Sequence, residues 1–470
     1  MALGASACRA FFHAFSLGLF FALLTCAALA QGQDLAITRV TLIDTAAGRA
    51  QRDMTVLISG DHIAAVAESH RLQPPRGART VDGQGKFLIP GLWDMHVHML
   101  ATWDRAAIDT AAWTFYAPNF IANGVTGVRG MWESLPTVRK LRAEIASGRV
   151  AGPRVVTSGN MLDGDPPSVP GAIACADAQR GRAAVDQMKR EGSDFVKVYS
   201  GLSRDAYFAI ADQSRKAGLP FAGHVPNSVI AAEVSDAGQK SIEHLLGVFV
   251  SCSSRESEFA GSVANFGAPL RAAAESYDPR KAAALFARFV KNGTWQTPTL
   301  AALRSAAHFG DAGYMKDDRL SQLPPVILEF WKAGGMGMSA ADDPSARRRQ
   351  FDRDLTLVGA MQKAGVKILA GTDTPSPYVF PGTSLHDELE LLVKAGLTPL
   401  QALQAATLRP AEYLGMQARL GTIAPGKLAD LVLLSADPLA DIANTRRIEA
   451  VIQNGRLHQK PDLQRMLGHQ

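Results

Sequence analysis

Ile89-Pro90-Gly91-Leu92-Trp93-Asp94-Met95-His96-Val97-His98 is the stretch on which the reading of this chain turns. A Pro-Gly pair opens it, an apolar run follows, and it closes on His-x-His. In a β-strand, residues two apart point to the same side. His96 and His98 would then aim two imidazoles at one point, where a metal could sit. Alone, such a pair is a weak signal, because surface and core pairs are commoner. Its weight comes from the chain that follows. Short apolar runs begin near Leu92, Gly124, Arg154, Phe195, Pro220, Lys240, Trp295 and Lys367, with helical stretches such as Ala183-Ala184-Val185-Asp186-Gln187-Met188-Lys189 between many of them. Eight strands alternating with helices predict an α/β fold, a (β/α)8 TIM barrel over residues 91–415. Residues 253–350 are long for a single connection and predict inserted helices.

Outward from the barrel the pattern turns to β on both sides. Ala36-Ile37-Thr38-Arg39-Val40-Thr41-Leu42-Ile43 alternates and is rich in β-branched residues, and Ser59-Gly60-Asp61 is a hairpin-like turn. After Gly415, Leu431-Val432-Leu433-Leu434 and Ala450-Val451-Ile452-Gln453 are strand-like, and Asn454-Gly455 is a turn. Residues 31–90 and 416–460 are expected to form one composite β-sandwich domain from both chain ends. The polar tail, 461–470, is expected to be loosely held.

The first thirty residues differ in kind. Arg9 is their only charged residue, an apolar core runs from Phe11 to Leu24, and Ala28-Leu29-Ala30 fits a small-x-small cleavage rule. This predicts a signal peptide, residues 1–30, and a periplasmic or secreted protein. The alternatives are an uncleaved anchor and a lipoprotein through Cys26. Cleavage leaves Cys175 and Cys252, which an oxidising compartment would allow to form a disulfide; two unrelated thiols are the other reading. No other segment has the apolar length of a membrane span. The chain has 470 residues, 47% hydrophobic and 20% charged, with a formal net charge of +5. That is ordinary globular composition, and without a long basic run it implies no nucleic-acid partner. A homo-oligomer is left open.

More ligand-type residues fall where barrel strands should end. Lys197, in Asp194-Phe195-Val196-Lys197-Val198-Tyr199, is a cation inside an apolar strand, costly to bury unpaired. It is either paired with a carboxylate or carbamylated by carbon dioxide into an anionic bridge between two metals. His224 lies in Gly223-His224-Val225-Pro226, His244 in Glu243-His244-Leu245, and Asp373 in Gly371-Thr372-Asp373. Singly, each reads as a structural residue. Together they place four histidines, a lysine and an aspartate on five expected strands, and active sites of this fold gather at the C-terminal strand ends. Glu243, one residue before its histidine, is expected to point away from the site. Tyr199 shares the side of Lys197 and either donates to substrate or packs the barrel. His386, at the start of an amphipathic helix, reads as a capping or packing residue.

On these motifs, and on Gly421-Thr422-Ile423-Ala424-Pro425-Gly426-Lys427-Leu428-Ala429-Asp430-Leu431-Val432, the chain resembles the amidohydrolase superfamily over nearly all of its mature length. It looks most like exported bacterial members related to prolidase-like and carboxypeptidase-like amidohydrolases, ochratoxin-hydrolysing ones included. The resemblance implies that His96, His98 and Asp373 bind one metal and that His224 and His244 bind a second. It implies two divalent ions, with zinc suited to the histidine-rich set, bridged by carbamylated Lys197 and by a shared hydroxide. The reaction implied is hydrolysis of an amide C–N bond in dipeptides, N-acyl amino acids or related amides, with Asp373 as general acid and base. One departure is Val128-Arg129-Gly130-Met131, where these relatives often carry an aspartate after the arginine.

The competing enzyme readings are a deaminase and a lactonase or esterase on the same scaffold. Deaminases of this type usually use one metal and lack the bridging lysine, so Lys197 argues against the first. A non-enzymatic binding protein would predict lost ligands, and none is lost.

Overall fold

The computed structural model describes residues 34–98, 111–169, 171–261, 267–332 and 343–468. The expected signal segment and Cys26 lie outside the described residues. Among the described residues, no helix is long and apolar enough to cross a membrane.

The β segments of the two chain ends hydrogen-bond to each other. Leu35–Asp44 runs antiparallel to Arg49–Ser59, which pairs in turn with His62–Glu68. On its other edge Leu35–Asp44 pairs parallel with Phe87–Pro90. Phe87–Pro90 runs antiparallel to Leu431–Leu434, followed by Ile448–Gln453 and Arg456–Gln459. With Arg79–Asp82 on Leu35–Asp44, these strands form one eight-stranded mixed sheet. A sandwich was expected, and a single hydrogen-bonded sheet is what the register produces. It has a core of its own, in which Ile37, Val56 and Leu88 meet Leu431 and Ile452 from the far end of the chain.

Phe87–Pro90 feeds through Gly91 into Leu92–Val97, the first strand of a TIM-barrel-like α/β domain. Leu92–Val97, Val125–Gly130 and Arg154–Thr157 pair in parallel. A second parallel run joins Met161–Asp163, Val196–Val198, Phe221–Gly223, Ser241–Glu243 and Trp295–Thr297. Apart from Arg154 and Val156, the residues of these strands are buried on both faces, which explains their largely apolar reading. Helices fill the long stretch before and after Trp295–Thr297, among them Pro279–Asn292, Leu300–His308 and Pro344–Lys363.

The expected strand near Lys367 is reduced to two parallel bridges, Gln296↔Ile368 and Val97↔Thr374. Backbone hydrogen bonds still seat this segment between its neighbours. Leu369 N donates to Gln296 O at 2.9 Å, and Met95 N donates to Ala370 O at 2.9 Å. Asp373, beside the second bridge, has φ +64°, outside the extended region. Gly371 permits the close approach: a Cβ there would lie 2.6 Å from Thr297 Cγ2 and 2.9 Å from His96 Cβ.

Two expectations are corrected. The tail is not loose: Lys460–Met466 is a helix, and Leu463 and Met466 pack into the main core. Asp462 starts that helix by accepting from Gln459 N at 2.9 Å. The expected disulfide between Cys175 and Cys252 is absent, and both thiols are free and buried. Cys175 donates to Ile173 O at 3.7 Å, beside Arg180 and Asp163. Cys252 ends the helix Val248–Cys252, beside Glu256 and Lys281. Different elements enclose the two sulfurs, and burial pushes each thiol up to about 12.

Candidate metal centre

His96 and His98 leave the first strand on one side, as the period-two rule requires. Asp94, two residues earlier on that side, ties the strand to the segment ending in Asp373. Its Oδ1 accepts from Thr372 N at 2.9 Å and its Oδ2 from Thr372 Oγ1 at 2.6 Å. Asp373 N donates to His96 O at 2.8 Å, and His98 N to Thr374 O at 2.7 Å. Asp373 is thereby set against both histidines, its Oδ1 lying 3.3 Å from His96 Nε2 and 3.1 Å from His98 Nε2. Its Oδ2 accepts from Ser376 Oγ at 3.0 Å. Burial would raise the Asp373 carboxyl, but His244, His98 and Lys197 outweigh it and hold the group below the usual carboxylate value.

His224 and His244 end the next strands in the same way. His224 N donates to Val198 O and His244 N to Thr297 O, each at 3.0 Å. His244 has φ +60°, so the backbone turns off the strand at that residue. The four rings are neighbours. Centroids lie 5.3 Å apart for His96 and His98, 4.5 Å for His96 and His244, and 5.1 Å for His224 and His244. Ligand atoms of His96, His244 and Asp373 fall within 4.8 Å of one another. This cluster crosses the expected division, in which His244 was grouped with His224. Burial pushes His244 down to about 4 and holds His96 and His224 well below the ordinary histidine value, which favours the neutral form of these three rings.

Lys197 is 1% exposed on its strand. Among the described residues its ammonium has neither an ion pair nor a hydrogen bond, so the carboxylate-paired reading does not hold. Burial pushes it down to about 8, with Glu243 and Asp373 opposing the shift. Gly223 clears space for it: at φ +138°, a Cβ there would meet Val198 O at 2.2 Å and Lys197 Cδ at 3.0 Å. Tyr199 is half-buried, and its ring lies 4.1 Å from that of His224. His386 is a packing residue, 2.9 Å from Thr445 Oγ1 through Nδ1 and 3.1 Å from Asn123 O through Nε2.

Glu243 corrects the alternation argument. It points inward, under the site, with Oε2 at 2.8 Å from His96 Nδ1. The rule fails because His244, not Glu243, has left the strand conformation. Arg129, also fully buried, donates to both Glu243 oxygens at 2.9 Å. Ser200 and Thr299 hold His224 and His244 through Nδ1 at 2.7 and 2.8 Å. These four residues were not singled out from sequence as parts of the site. Arg129 carried the same signal as Lys197, a charge inside an apolar strand; the two hydroxyls carried none.

The donor set fits divalent metal. His96 Nε2 and Asp373 Oδ1 are buried, face each other, and make no well-formed hydrogen bond. Such orphaned atoms are costly without a ligand. The Nδ1 atoms of His96, His224 and His244 are occupied by outer partners, which leaves each Nε2 for an ion.

Residues 87–458 match the amidohydrolase family. An imidazolonepropionase from Rubrobacter xylanophilus is 26% identical over 436 residues, covering 86% of this chain and 90% of that protein. An ochratoxinase from Aspergillus niger is 25% identical over 476 residues, covering 88% and 85%. The crystal structure of a Xaa-Pro dipeptidase with bound methionine superposes with a TM-score of 0.68 at 22% identity, covering 91% of this chain and 100% of that one.

Proposed function

This chain belongs to the amidohydrolase family and is a hydrolase acting on carbon–nitrogen bonds; from that premise we propose that it cleaves the amide bond of dipeptides, N-acyl amino acids or related small amides. The observation that carries the reading is the buried convergence of His96 Nε2, His98 Nε2 and Asp373 Oδ1 at 3.1–3.3 Å, with an unpaired lysine alongside. The scaffold proposed is a closed (β/α)8 barrel over 91–415, whose eighth strand is the segment 367–374. The composite β domain of 31–90 and 416–460 lies beside it.

His96, His98 and Asp373 would hold one divalent ion and His224 and His244 a second, zinc by the donor set. When bound, such a pair lowers the pKa of water and polarises a carbonyl. Lys197 would lie between them as a carbamate. Its free amine adds to the carbon of carbon dioxide: a C–N bond forms, one C=O π pair moves onto oxygen to give the carboxylate, and the amine proton passes to water. Burial favours the neutral amine that this step needs, against the pull of Glu243 and Asp373.

Asp373 does the proton work. Its carboxylate takes a proton from the attacking water as the new C–O bond forms. It returns that proton to the nitrogen as the C–N bond breaks, so an amine leaves rather than an amide anion. Ser376 holds Oδ2 and keeps Oδ1 aimed at the histidines. Tyr199, seated on His224, would donate to the substrate. Export through residues 1–30 would place the reaction in the periplasm or outside the cell, on small peptides and amides.

A screen of dipeptides, N-acyl amino acids and lactones with zinc-loaded protein tests the reading. Turnover of amides above lactones is expected. Lactone turnover without amide cleavage would overturn it.

A further inference from the structure

The four histidines of the candidate centre do not have equivalent outer partners. His224 and His244 meet hydroxyls, Ser200 Oγ at 2.7 Å and Thr299 Oγ1 at 2.8 Å. A hydroxyl can donate or accept, so neither contact selects which ring nitrogen carries the proton. His98 Nδ1 has no partner among the described residues. His96 Nδ1 meets the carboxylate of Glu243 at 2.8 Å, and an ionised carboxylate only accepts. Asp373 Oδ1 lies 3.3 Å from Nε2 but forms no hydrogen bond with it, whereas the Glu243 contact is well formed, so the proton goes to His96 Nδ1 and Nε2 is left for an ion.

Glu243 is itself immobilised. Ser241 Oγ donates to Oε1 at 2.5 Å, and Arg129 Nη2 reaches both oxygens at 2.9 Å. Arg129 gives its Nε to Met95 O at 2.6 Å and its Nη1 to Ser241 Oγ at 3.0 Å and Tyr413 OH at 2.8 Å, while Nη2 also lies 3.2 Å from Thr297 Oγ1. Met95 adjoins His96, so one guanidinium clamps both the carboxylate and the strand that carries the ligand. Its charge offsets that of Glu243, and both side chains are fully buried.

We infer that Glu243, clamped by Arg129, is a positioning residue that presets the His96 tautomer and makes the metal position served by His96 the tighter of two. A carboxylate partner also raises the basicity of a ligating imidazole, and hydroxyl partners do so less. The centre then loads in order, first at His96 and then at the position of His224. This rests on the two-metal reading given above.

The test is zinc binding by the full mature chain under chelator competition, with imidazole nitrogen shifts of the metal-free protein read by NMR. The parent should bind two zinc ions of unequal affinity, with His96 in the Nδ1–H form. Glu243→Gln should weaken the tighter ion by about 10–100-fold and leave the other nearly unchanged, with the tautomer preference of His96 lost. Because Gln leaves Arg129 buried without a counter-charge, Glu243→Gln combined with Arg129→Met serves as the folded control and should show the same selective loss. Two zinc ions of equal affinity, equal weakening of both in either variant, or an Nε2–H His96 in the parent would overturn the inference. Fewer than two zinc ions per parent chain would instead overturn the two-metal reading on which it stands.

Discussion

Asp373→Asn separates the proton-carrying role of this residue from its place in the fold. Asp373 sits at φ +64°, where most side chains are strained by about 1–2 kcal/mol but Asn and Asp are tolerated. Asparagine therefore keeps the backbone, the volume and an oxygen for the Ser376 hydroxyl, which now lies 3.0 Å from Oδ2. It loses the negative charge, and with it the ability to accept a proton and the anionic oxygen that faces His96 and His98. General acid–base help is worth about 10²–10⁴ in rate, or roughly 3–5 kcal/mol of barrier. The kcat of Asp373→Asn is expected to fall by at least that factor, with metal retained on His224 and His244. The assay is kcat on the best amide from the screen, with metal content measured on the same preparation. Asp373→Ala, which adds the backbone cost, should also lower the melting temperature. An asparagine variant with both metals and near-native kcat would refute the assignment.

Lys197→Ala should lose metal and activity together, and a small carboxylate such as propionate should restore part of both; full metal content with a normal rate would exclude the bridging role. Asp354 offers a pH test away from the site, because burial raises its carboxyl to about 7, and its Oδ1 accepts only from Gln350, at 2.9 Å. A folded pKa above the unfolded ~3.9 means that stability is fully present below about pH 4 and is lost as pH rises through about 7. The loss amounts to roughly 4 kcal/mol at most, so Asp354→Asn should melt higher than the parent near pH 8, with the gap closing near pH 4; equal melting temperatures at both ends would contradict this. N-terminal sequencing of the mature protein should begin at Gln31 or nearby, and retention of Met1 in a cytosolic protein would contradict export.

The candidate site residues were legible in the chain because each one breaks a local rule. Lys197 is a charge in an apolar strand, and His224, His244 and Asp373 are polar residues closing apolar runs; singly each reads as structural, and their recurrence at expected strand ends, with the family resemblance, marked them as candidates. The alternation of strands and helices marked the fold class for the same reason, since period and burial are written locally. What tertiary structure decided was everything that depends on one residue leaving the strand. The positive φ of His244 lets Glu243 reach His96 Nδ1, although alternation aims it outward. The expected strand is reduced to two bridges, and Asp373, at a positive φ beside the second, has its carboxylate against both histidines. The hydroxyls of Ser200 and Thr299 could not be picked out, because serine and threonine at strand ends are common and only their distance to a ring gives them a role. The two cysteines stayed open for the same reason: a disulfide depends on how close two side chains come in space, and the fold encloses each thiol within different elements.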